Sequence, residues 1–118
     1  MLQYLCLVYA DDAALAVADS PAAAAEIAEF SGTLQRKRQL LVSGGLPPSN
    51  GATTLTISHG ALAVSDHSAL APGQSQPVGF FLIRARDLND AIRIAADIPA
   101  ARWGRVEIRQ TRTAALPT

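Results

Sequence analysis

Ser65-Asp66-His67 sets the three residue types of a hydrolytic relay side by side. Consecutive residues of an extended chain point to opposite sides, so these three cannot line up as serine, imidazole and carboxylate. Asp66 and His67 stay candidates for separate acid or base roles at a strand-to-loop junction, because partial burial tunes a carboxylate or an imidazole toward neutrality. The plain alternative is a turn-forming aspartate beside an exposed histidine. Tyr4, Tyr9 and Trp103 could line a pocket for a planar ligand; packing of aromatic residues in a core explains them equally. His59, before Gly60, reads as a hairpin-turn residue.

Other chemistries find too few residues. Two histidines, one cysteine and no clustered carboxylates supply no metal-ligand set at a familiar spacing, so no metal is expected. Gly44-Gly45 and Gly73 lack the strand-glycine-helix context and the lysine of a phosphate loop, so no nucleotide and no other cofactor is expected. Cys6 lies in the apolar run Tyr4 to Ala10 and reads as a buried thiol with no disulfide partner.

Ten basic and ten acidic residues leave the 118-residue chain without net charge, so many-point neutralisation of a phosphate backbone is not expected and nucleic acid is excluded as a partner. The charges are uneven along the chain. Residues 1 to 33 hold five acids and no base, whereas Arg84 to Arg112 holds seven of the ten bases, either an anion-friendly patch or solvated strand and loop positions. The length is that of one domain, and 49% hydrophobic with 17% charged residues is a globular composition. No run approaches the roughly 18 apolar residues of a membrane span and no basic leader precedes the first strand, so a cytoplasmic protein without a membrane partner is the expectation.

The elements that must position these residues follow from periodicity. Leu2 to Ala10 is apolar on both alternating sets, which predicts a strand covered on both faces. Asp19-Ser20-Pro21 opens a helix predicted to run from Pro21 to Leu40, with Ala23, Ile27, Phe30 and Leu34 on its apolar face. Its basic end, Arg36-Lys37-Arg38, matches the helix dipole. Leu40 to Ser43 reads as a short strand stopped by Gly44-Gly45, and Gly45 to Ala52 as a loop. Thr53 to Ser58 and Ala61 to Asp66 flank His59-Gly60 as a hairpin, with Leu55 and Ile57 covering a core near a sheet edge. A long loop spans His67 to Pro77. Phe80 to Ile83 is a second doubly buried strand, Asp87 opens a helix with the stripe Leu88, Ala91, Ile92 and Ala95, Pro99 stops it, and Val106 to Thr111 is the last strand. Residues 1–113 form the domain and 114–118 a loose tail. This order predicts an α+β, ferredoxin-like antiparallel sheet with two helices on one face. Its other face needs a cover that a chain of this length does not supply, which predicts a homodimer with two sheets packed face to face.

The opening Met1 to Ala10, the Gly44-Gly45 pair, the hairpin ending at Asp66 and above all Pro99-Ala-Ala-Arg-Trp-Gly-Arg-Val-Glu-Ile-Arg109 resemble the YCII-related proteins, in particular the DGPF subgroup. The resemblance covers nearly the whole chain and implies a dimeric α+β barrel, a fold that hosts isomerases, dehalogenating relatives and cofactor-independent oxygenases. Members of the subgroup usually continue Asp-Gly-Pro-Phe-Ala-Glu-Thr-Lys-Glu after the hairpin; here Asp66 precedes His67-Ser-Ala-Leu-Ala-Pro-Gly-Gln-Ser-Gln. Asp66 carries over, and the acid and lysine do not. Arg102 also matches the pattern, either aimed at an anionic ligand or engaged in a salt bridge or helix cap. Two functions follow. One is a small enzyme, independent of metal and nucleotide, that acts on an organic acid, lactone or aromatic metabolite with Asp66 or His67 moving a proton and Arg102, Tyr4 and Trp103 binding substrate. The alternative is a non-catalytic dimeric ligand-binding or accessory protein.

Overall fold

An apolar residue at nearly every position of β1, Leu2–Ala10, lets it take the centre of a sheet with a partner on each edge. The computed structural model describes residues 1–18, 20–46, 52–66, 69 and 75–112. β1 pairs antiparallel with β5, Gln76–Ala85, placing Tyr4 opposite Ile83 and Cys6 opposite Phe81. On its other edge it pairs antiparallel with β6, Arg105–Gln110, placing Cys6 opposite Ile108 and Val8 opposite Val106. β2, Leu40–Gly45, adds outside β5, so the order is β2-β5-β1-β6. Three helices, α1 (Asp12–Ala18), α2 (Pro21–Arg36) and α3 (Leu88–Ala95), and a 3-10 turn at Pro99–Arg102 connect the strands. Two interleaved strand-helix-strand units in this order make the ferredoxin-like α+β architecture.

The helices start where side chains satisfy open N–H groups. Ser20 accepts from the N–H of Ala23 at 3.1 Å with Pro21 in the first turn, and Asp87 accepts from the N–H of Asp90 at 2.8 Å. Asp19, part of the expected start, lies outside the described residues. α1 was not legible as a helix, yet the Asp11 carboxylate caps it by accepting from the N–H of Ala14 at 2.9 Å. α2 ends at Arg36 rather than Leu40, because Lys37 donates back to Thr33 and Arg38 takes a positive φ of 57° that turns the chain into β2. Gly44 and Gly45 continue β2 instead of stopping it. A Cβ on Gly44 would lie 2.8 Å from the Phe80 ring, so a glycine lets β2 pass that side chain.

One face of the sheet carries the core. Tyr4, Cys6, Val8, Phe81 and Ile83 pack there against Leu34 of α2 and Ala91 and Ile94 of α3, and Phe30 meets the Phe81 ring edge-on at 5.3 Å. The expected α3 stripe is corrected: Ala91, Ile94 and Ala95 are buried, whereas Leu88 and Ile92 face out. Asp90 takes their place because its carboxylate accepts from the Arg86 N–H at 2.9 Å and from the Arg93 guanidinium at 2.8 Å. The opposite sheet face, where Leu7 stands beside Phe80 and Leu5 beside Leu82, is only half-buried over most of these residues. The described chain adds no second layer there. Val42 on the same face is 45% exposed, and the buried Gln3 Oε1 has no hydrogen-bond partner among the described residues.

The hairpin is a sheet of its own, β3 (Thr54–Ser58) paired with β4 (Ala61–Ser65). His59 and Gly60 turn it with φ of 51° and 79°, the positive pair that a two-residue hairpin turn needs. Leu55 and Ile57 cover no core among the described residues; with Leu62 and Val64 they are exposed. The loop from 67 and the tail from 114 fall outside the described residues except for Ala69, Ser75, Gln76 and Pro77. Among the described residues no helix is long and apolar enough to cross a membrane.

Candidate functional site

At the end of the sheet where β2 and β5 run side by side, the core opens into a cleft of about 290 Å³. Gly45 lies opposite Gly79, and both share the helix-side face with Val8 and Phe81, so these four residues make its floor. Leu15 of α1, Ile27 of α2 and Ile98 with Ala100 before and within the 3-10 turn make its walls. Glycine keeps the floor low: a Cβ at Gly45 would meet no atom within 4 Å. That space belongs to the cleft. The volume sits at the lower end of the roughly 300–1,000 Å³ of small-molecule pockets and suits one ring system.

Trp103 closes one side of the cleft. Its position is fixed by the next residue. Gly104 donates to the Ala100 carbonyl at 2.7 Å, and a Cβ there would lie 2.3 Å from the Tyr9 carbonyl oxygen, so only glycine lets the turn press against β1. Ser43 supplies a hydroxyl, and no described lining residue is ionisable. The arrangement can therefore shelter an apolar or aromatic body, and any proton transfer needs groups brought in from outside the described lining.

Of the five candidate site residues singled out in the sequence, Trp103 is the one among the described cleft lining. Tyr4 is 2% exposed and packs in the core between the sheet and the helices. Arg102, 66% exposed at its side chain, pairs with Glu26 of α2 and donates from Nε to the Pro99 carbonyl at 3.3 Å. Asp66 is exposed directly after β4. His67 lies outside the described residues. Sequence reasoning missed all four of Gly45, Gly79, Ile27 and Ile98 as cleft residues: Gly45 reads as a strand stop, Ile27 as the apolar face of a helix, and Gly79 and Ile98 carry no signal of their own. The signal that could have found them is the pairing of two glycines across β2 and β5, visible only once the register is known.

Elsewhere, a shallow groove of about 300 Å³ between α2 and α3 is bordered by Glu26, Glu29, Lys37, Arg93 and Asp97. Both signs of charge alternate along it, as on an ordinary solvated helix face. Next to it the Arg86 N–H, foremost, and then the Arg93 guanidinium hold the Asp90 carboxyl down to about 2. Burial pushes the Cys6 thiol up to about 11. Among the described residues no three His, Cys, Asp or Glu side chains are grouped to hold a metal ion. The YCII-related domain is the family model that matches the chain, over residues 2–113. No curated protein matches it.

Proposed function

The chain belongs to the YCII-related family, and on that premise we propose that it is a two-fold dimer whose cleft binds a small, largely apolar ring compound, an aromatic or lactone metabolite or its acid. The observation that carries this reading is the glycine-floored apolar cleft beside Trp103. In the dimer two four-stranded sheets meet through their half-buried faces, completing a dimeric α+β barrel. Within the family the reading is the DGPF subgroup, supported by Asp66 and by the run Pro99 to Arg109.

The reaction reading is acid–base chemistry independent of metal and nucleotide. Asp66 and His67 begin the segment that returns to β5, whose Val78 and Gly79 lie at the cleft, so they are the groups to move a proton there. Arg102 binds an anionic ligand by exchanging Glu26 for a ligand carboxylate. Tyr4, beneath the helices, supports the site by packing. The second reading is a non-catalytic binding or accessory protein, and the absence of an ionisable side chain from the described lining favours it.

Thermal stability measured against a panel of small organic acids, lactones and phenols tests the proposal. Binding stabilises by mass action, roughly 2.7 kcal/mol at a hundredfold excess over Kd. The expected result is a stabilising ring compound whose effect disappears in Gly45→Val, which fills the cleft, and persists in Asp66→Asn. A hit that binds Gly45→Val as tightly as the parent chain would remove the cleft as the site. Turnover of that hit by the parent and not by Asp66→Asn separates the enzyme from the binder.

A further inference from the structure

The β3–β4 ribbon sorts its side chains by face. Leu55 lies opposite Val64 and Ile57 opposite Leu62, so all four aliphatic residues share one side, with Thr54, Thr56 and Ser58 on the other. Each of the four is 61–68% exposed. A two-stranded ribbon is marginal in water unless a further strand or layer covers its apolar face. The described chain supplies no such layer: the ribbon is a separate sheet whose main contacts are internal.

We propose that the apolar face of the ribbon is an arm that docks on a second copy of this chain, extending the sheet-to-sheet interface. The inference rests on the two-fold dimer proposed above and adds a second contact to it. Its first support is area. Four side chains so exposed offer on the order of 400 Å² of apolar surface, about half of the roughly 800 Å² that each partner buries in a standard interface. On the sheet face Leu5, Leu7 and Phe80 are already half-buried by their neighbours, so each offers a smaller fraction of its surface than a ribbon residue does.

The second support is charge. Thr54 to Ser65 holds no Asp, Glu, Lys or Arg. Two identical ribbons meet about a two-fold axis without like-charge repulsion, whereas a surface built to select a different protein uses charged positions to do so. The third support is continuity. The ribbon leaves from β2 and returns into β5, the two strands that carry Val42, Phe80 and Leu82 on the half-buried face. In chain order, arm and face therefore join through the same two strands.

Sedimentation of the full chain, with amide hydrogen exchange at two protein concentrations, tests the arm. The parent chain should be a dimer, Ile57→Glu with Leu62→Glu should raise the dimer dissociation constant on the order of 100-fold, and Thr56→Glu on the opposite side should leave it unchanged. Ribbon amides of the parent chain should lose protection on dilution, a readout that does not depend on the variants folding. A double variant that dimerises as tightly as the parent overturns the arm and leaves the sheet-to-sheet dimer standing. Ribbon protection independent of dilution also overturns it, because the cover then comes from the same chain. A parent chain that is monomeric at high micromolar concentration overturns both.

Discussion

Asp90 shows how one polar residue redirects a helix. Its carboxylate is held by the Arg86 N–H and the Arg93 guanidinium and so ionises more readily in the fold than in the unfolded chain. A lowered folded value stabilises above the unfolded value near 4 and loses that stability as pH falls toward about 2. Urea midpoints between pH 5 and 2 should therefore drop more steeply for the parent chain than for Asp90→Asn. Cys6 works in the opposite direction: burial raises its thiol to about 11, so its contribution is complete below about pH 9 and is lost as pH rises toward 11. At pH 8 a thiol reagent should label Cys6 only at the rate of unfolding, and immediate labelling would contradict its burial. Gly104→Ala should cost about 1–3 kcal/mol in chemical denaturation, because its Cβ meets the Tyr9 backbone rather than a side chain that can move.

Elements were legible where their signals are local. Ser20-Pro21 marks the start of α2 and His59-Gly60 marks the turn of the ribbon, since a cap or a positive φ is decided within a few residues. Ser20→Ala should cost about 1 kcal/mol, read as a lowered denaturation midpoint with an unchanged slope. What depends on distant partners was not legible. The buried face of α3 is rotated because Asp90 finds donors, a fact that apolar spacing does not carry. The ribbon alternates as a half-buried strand should, but alternation does not say which molecule covers the apolar side. The cleft was equally hidden. Val8, Leu15, Ile27, Gly45 and Ile98 come from five separate stretches, and each looks like core or strand end by itself.

At the scale of the molecule, three features involve the same two strands. β2 and β5 floor the cleft on their helix side, carry Val42 and Phe80 on the other, and send out the ribbon between them. The proposed dimer and the proposed ligand site therefore share the same two strands, and on that proposal a ligand that orders β2 should also tighten the dimer. Ligand binding in the cleft is tested most directly by following backbone amide and indole N–H signals while the stabilising lactone or phenol from the panel is titrated into labelled protein. Shifts that saturate together at Gly44, Gly45 and Gly79 and at the Trp103 indole are the predicted result. Saturating shifts at Thr33, Gln39 and Arg93, in the groove between α2 and α3, with the glycines unmoved, would contradict it.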